Sequence, residues 1–136
     1  MNTHDDLGDS LKITKTEGKV TTLHIEGKLD GQTEKKLLDA ALAEHRAGAK
    51  SLLLDFSKLT IITSAGLRAL HTLYKTFTPD EELQAWNAEH KGEKFKSPYF
   101  KIAQPSSEIH YVLSISGFLQ SIYIYPSLQE AIDSFS

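Results

Sequence analysis

An α/β fold, one small mixed sheet flanked by helices, is the architecture this sequence predicts. Three observations lead there. The stretch Ser51–Phe56, "SLLLDF", is a continuous apolar run bounded by polar residues, the mark of a strand covered on both faces. Before it, "LKITKTEGKVTTLHIEGKLD" reads as two short strands around a turn at Glu17–Gly18. Around and after it, segments of 3.6-residue apolar periodicity alternate with short β-branched runs, as in a sheet whose crossovers are helices.

Each element follows in order. Residues 1–9, polar and acidic, are expected to form a disordered tail ahead of one domain at residues 10–136. In the first strand Leu11 and Ile13 alternate with lysines; Val20, Leu23 and Ile25 mark the second, which Gly27 closes. After Asp30–Gly31, Leu37, Leu38, Ala41, Leu42 and His45 form a helical stripe that Gly48 stops. The apolar run ends at Asp55, a short loop follows, and Ser64 begins a helix with Leu67, Leu70, Leu73 and Tyr74 on one face. Residues 77–98 read as an insert. Thr78 as cap, Pro79 at the first helical position and Glu81 as the capping-box acid would start a helix bearing Leu83, Trp86 and His90 on one side, followed by a basic turn, "KGEKFK". Then come a strand at Tyr99–Ala103, a helix in "SSEIHYVLSISGF" stopped by Gly117, a strand in "QSIYIYP", and a last helix with a Ser127–Glu130 capping box. The order is β-β-α-β-α-(insert)-β-α-β-α, giving four to five strands.

Bulk properties narrow the function. The chain has 136 residues, 40% apolar and 24% charged, ordinary for one globular domain. A net charge of −3 with interspersed signs lacks the concentrated basic face that nucleic acid requires. With no cysteine, disulfides and cysteine-built metal sites are excluded. The absence of a basic–apolar leader and of a roughly 20-residue apolar run leads us to expect a soluble cytoplasmic protein without membrane insertion.

Ser64 has two readings at this stage. It is a helix cap, or it is a hydroxyl displayed to a partner, since it follows a buried strand where contact sites of α/β folds collect. The small neighbours Ala65 and Gly66 would leave that hydroxyl open. A nucleophilic role finds no support. His71 stands two turns along the helix, about 10 Å away, and no G-x-S-x-G elbow surrounds the serine; His24 and His110 remain formally possible bases. Asp55, together with Ser57, is read as a carboxylate that accepts loop amides and sets the turn. The six histidines are scattered without metal-ligand spacing, and no phosphate-binding glycine loop is present, so neither metal nor cofactor is implied.

Taken together, "LLLDFSKLTIITSAGLRAL" resembles the signature of the STAS domain, the fold shared by bacterial anti-sigma factor antagonists and the C-terminal regions of sulfate transporters. The matching positions are Leu52–Leu54, Asp55, Phe56, Ser57, Ile62, Thr63, Ser64, Ala65, Gly66 and Leu67; Gly27, Leu29 and Asp30 echo a second family element, and the chain's last strand and helix a third. The resemblance implies a STAS-like sheet and a non-enzymatic regulatory protein. It implies that Ser64 is phosphorylated by a partner anti-sigma factor that is also a serine kinase, with a serine phosphatase as a further partner. Thr63 stands where the family has aspartate and supplies a second-choice acceptor hydroxyl. Asp30, Asp55, Ser57, Thr63, Ala65, Gly66 and Leu67 are the partner-contact residues it implies. The insert, foreign to compact antagonists, would either cover that face or extend it. Two alternatives keep the fold: an accessory subunit of a transporter or lipid-trafficking complex, and a small-molecule-binding module.

Overall fold

The structure, a computed structural model, describes residues 10–135; the tail expected at residues 1–9 lies outside them. Strands β1 (Leu11–Thr16), β2 (Thr21–Leu29), β3 (Leu52–Ile62), β4 (Ser97–Ala103) and β5 (Ile122–Tyr125) form a single sheet in the order β1-β2-β3-β4-β5. The first pair is antiparallel and every later pair parallel. Helices α1 (Glu34–Arg46), α2 (Ser64–Phe77), α4 (Ser107–Ile115) and α5 (Leu128–Asp133) connect or close the strands, and α3 (Asp80–Glu89) forms the insert. No helix is long and apolar enough to cross a membrane.

The alternation of side chains along β3 distributes the core. Leu52, Leu54 and Phe56 point into the main cluster with Leu37 and Ala41 of α1, Leu70, Leu73 and Phe77 of α2, and Ile109 and Leu113 of α4. Leu53 points the other way, with Val20, Ala103 and Ala131, under the short helix α5. Both faces of the apolar run are therefore covered, as its composition predicts. α5 reaches only part of its face, so the β1–β2 side of that surface stays open to solvent, where Lys12, Thr14 and Thr16 are exposed.

Two stop signals and one start signal act as anticipated. Gly48 and Gly117 take positive φ, 108° and 84°, just past α1 and α4. Ser127 Oγ accepts from Glu130 N at 3.1 Å, starting α5. Three expectations need correction. Gly27 lies inside β2, not at its end; its φ is 114°, and a Cβ there would run into the carbonyl oxygen of Ser10. Asp55 does not end β3, which continues to Ile62 through register shifts opposite β2. Ser57 and Lys58 suggest a loop because a bulge breaks the two-residue alternation there. Thr78 does not start α3: it is the C-cap of α2, its N–H on the Tyr74 carbonyl, its buried hydroxyl donates to Ser97 Oγ at 2.9 Å, and Pro79 holds the N-cap position of α3.

The insert rests lightly on the body. No residue of α3 is buried. Trp86 stacks on His90 with centroids 4.1 Å apart and meets the edge of Phe95. The Tyr74 hydroxyl donates to the Phe95 carbonyl at 2.8 Å, and the Tyr99 hydroxyl reaches the Glu82 carboxylate at 2.7 Å.

Candidate functional site

The rim at the carboxyl ends of β2 and β3 is built mostly from backbone. Asp30 follows β2, and its Oδ1 accepts the amides of Gln32 at 3.0 Å and Thr33 at 3.2 Å, an Asx turn that carries the chain into α1. Thr33, buried, ties the turn to the strand: its hydroxyl donates to the Lys28 carbonyl at 2.8 Å and accepts from Asp30 N at 2.9 Å. Beside this loop Thr63 N donates to the Leu29 carbonyl at 3.0 Å, fixing where β3 hands over to α2.

Ser64 is the first residue of α2 and is exposed. It is not the cap. Thr63 occupies that position with extended backbone (φ −108°, ψ −179°) and makes no side-chain bond to the first turn. The Thr63 hydroxyl oxygen is buried and has no hydrogen-bond partner. The exposed Ser64 thus follows a threonine whose hydroxyl is shut in.

Ala65 and Gly66, expected at the contact surface, are buried beneath it. Their smallness serves packing. A Cβ on Gly66 would come within 2.8 Å of Ile62 Cγ1 and of the Leu29 carbonyl oxygen, so only glycine lets α2 settle this close to the strand ends. Around Ser64 the accessible groups are Ile61, 43% exposed, the half-buried Leu67 and the exposed Arg68. Ile61 escaped the sequence analysis, although the pair Ile61–Ile62 at a strand end carried the signal: alternation turns one inward and the other out.

Asp55 and Ser57 belong to a different place. Asp55 pairs with His24 across β2 and β3, and Oδ2 lies 2.7 Å from His24 Nδ1. The other ring nitrogen, Nε2, sits 2.8 Å from Thr16 Oγ1, and Asp55 Oδ1 accepts the Ser57 amide at 3.0 Å. Burial pushes the Asp55 carboxyl up, but the His24 bond and those from the Ser57 amide and hydroxyl outweigh it, holding the group below its ordinary 3.8. Lys12, Thr14, Glu26 and Lys58 complete a shallow cavity around the pair. Seven further residues of strand separate Asp55 from the β3 terminus, roughly 20 Å. His24 is therefore no base for Ser64. His110 lines yet another depression with Pro105 and Pro126.

The helix of the insert begins beyond the far end of α2. α2 runs 14 residues from Ser64 to Phe77, about 20 Å, and α3 follows from its far end. Ser64 is exposed, so the insert does not cover it; the later part of the insert returns along α2, where Lys94 lines a depression with His71 and Tyr74.

No curated protein gives a significant match to the chain. Among solved structures, an anti-sigma factor antagonist from Mycobacterium paratuberculosis is similar with a TM-score of 0.74 at 18% identity, covering 93% of this chain and 95% of that one. The anti-sigma factor antagonist SpoIIAA in its unphosphorylated form gives 0.61 at 15% identity, over 90% of this chain and 93% of its own. The Bacillus cell fate determinant SpoIIAA in the phosphorylated form gives 0.59 at 16%, over 93% and 99%. At such identities these likenesses establish the fold. The family model described as "Mlab, STAS domain" matches residues 14–84, from β1 through the signature segment into α3, and with more than half of its length so matched the chain belongs to the STAS domain family.

Proposed function

We propose that this protein is a non-enzymatic switch that antagonises an anti-sigma factor, and that Ser64 is its phosphoacceptor. The observation that carries the reading is the exposure of Ser64 at the first residue of α2. The similar structures named as anti-sigma factor antagonists, one of them a phosphorylated form, support it. The buried oxygen of Thr63 favours Ser64 over its neighbour.

In the reaction, supplied by a partner serine kinase, the Ser64 oxygen attacks the γ-phosphorus of ATP. The new O–P bond forms as the bond to ADP breaks, and the hydroxyl proton passes to a base on the kinase. The product carries about −1.5 to −2 charges at neutral pH, and lodging that charge in a packed interface costs desolvation and repulsion. A thousandfold loss of affinity corresponds to only about 4 kcal/mol, so release needs no refolding. A serine phosphatase would restore binding. Leu67 and Ile61 would supply the apolar contact, with the Asp30 turn framing it.

The test is incubation with a purified anti-sigma serine kinase and ATP, followed by mass spectrometry. Phosphate on Ser64, with kinase binding lost on modification, is the expected result; no phosphate on Ser64 or Thr63 together with no binding overturns it. The neutral Thr63 in the place of the family's aspartate favours one second reading, an unmodified accessory subunit of a transporter or lipid-trafficking complex. A Ser64→Ala chain that supports the cell as well as wild type would select it.

A further inference from the structure

Arg68 lies four residues after Ser64 on α2, and both are exposed. Residues so spaced on a helix are surface neighbours, with about 5–6 Å between their Cβ atoms. Arg68 Nη2 lies 3.7 Å from Oε1 of Glu34, the first residue of α1; the Arg68 side chain is 68% exposed and that of Glu34 28%. The guanidinium is thus held loosely over the seam between the first turns of two helices, within reach of the one open hydroxyl there. The first turn of α2 contains no acid, and Thr63 leaves that turn without a side-chain cap.

We propose that Arg68 is an intramolecular latch for phosphate on Ser64, an inference that rests on the phosphoacceptor reading above and names what that phosphate does inside the chain. In the unmodified protein Arg68 leans on Glu34 and is offered to a partner. On modification the guanidinium leaves Glu34 and closes on the phosphate. The exchange is favoured because a phosphate dianion exceeds a carboxylate in charge, and because the planar fork of arginine matches two phosphate oxygens at once. The first-turn amides of α2 stabilise the same anion. Modification then alters the rim twice: it adds negative charge and withdraws a cation that an acidic partner surface could have used. Glu34 is left beside the new anion without its counter-charge.

The test uses the full chain with phosphoserine placed at position 64 during translation, so no kinase is involved, and follows the second phosphate ionisation by ³¹P NMR. Arg68→Gln is expected to raise that pKa by about half a unit relative to the unsubstituted phosphoprotein, the scale of an exposed ion pair. Arg68→Lys should fall between, and Glu34→Gln should lower the pKa by freeing Arg68 and removing an acid. Arg46→Gln, at the other end of α1, should leave it unchanged. If Arg68→Gln titrates like the parent, or Arg46→Gln shifts it equally, the latch is overturned. Either result leaves the phosphoacceptor reading standing, and a kinase that ignores Ser64 leaves the latch standing.

Discussion

Asp55 and Ser64 sit on one continuous segment of the signature and meet opposite circumstances. The carboxylate of Asp55 is occupied by the His24 ring and the Ser57 amide, and the ring's other nitrogen by Thr16. The hydroxyl of Ser64 stands in solvent at a helix start where its neighbours Ala65 and Gly66 do the packing. One polar group fastens strands together; the other makes no such bond and lies on an exposed residue. Satisfaction of hydrogen bonds, not residue type or motif membership, separates the two roles.

The contrast predicts a graded series of effects. Gly66→Ala should be the most damaging, since the new methyl meets the Leu29 carbonyl at a position where the backbone has no room. We expect a loss of about 1–3 kcal/mol by urea unfolding, the usual cost of overpacking. Asp55→Ala should cost about 1–2 kcal/mol, because His24 and the Ser57 amide lose their acceptor. The pH dependence has a definite sign. The Asp55 pKa is depressed in the folded state, so its contribution is complete above the ordinary carboxylate value of about 4 and disappears as pH falls through the depressed one. Denaturation curves of wild type and Asp55→Ala should therefore converge in acid and diverge near neutrality. Thr63→Val should be neutral or stabilising by up to about 1 kcal/mol, since it removes an oxygen that has no partner. Ser64→Ala should change stability least, within about 0.5 kcal/mol. A Ser64→Ala variant as unstable as Asp55→Ala would erase the contrast.

The sequence carried the element order because each element states its own period and its own punctuation. Gly48, Gly117 and the Ser127–Glu130 box are local signals that act locally. What it did not carry came from partners distant along the chain. The hidden extension of β3 depends on a bulge against β2. The true surroundings of Asp55 depend on His24, across the sheet. Thr78 looks like an N-cap until Ser97 claims its hydroxyl. Lys101 reads as a break in an apolar strand. It is buried, its Nζ bonds Ser134 Oγ at 2.9 Å and the Ser134 carbonyl at 3.1 Å, and it lies 4.4 Å from the Phe135 ring centroid. It thereby anchors the chain just past α5, and nothing near it in sequence announces those contacts. At the site, the position of Ser64 was legible; the difference in burial between it and Thr63 was not, because burial of a single oxygen is set by how α2 meets β2.

The placement of α3 has a practical consequence. Gln84 and Ala88 are exposed on that helix, and the chain holds no cysteine. A single cysteine at either position would give a fluorescent dye one unique thiol to react with, on a segment that contributes nothing to the core. Anisotropy of that dye would then test for complex formation without altering Ser64 or its neighbours.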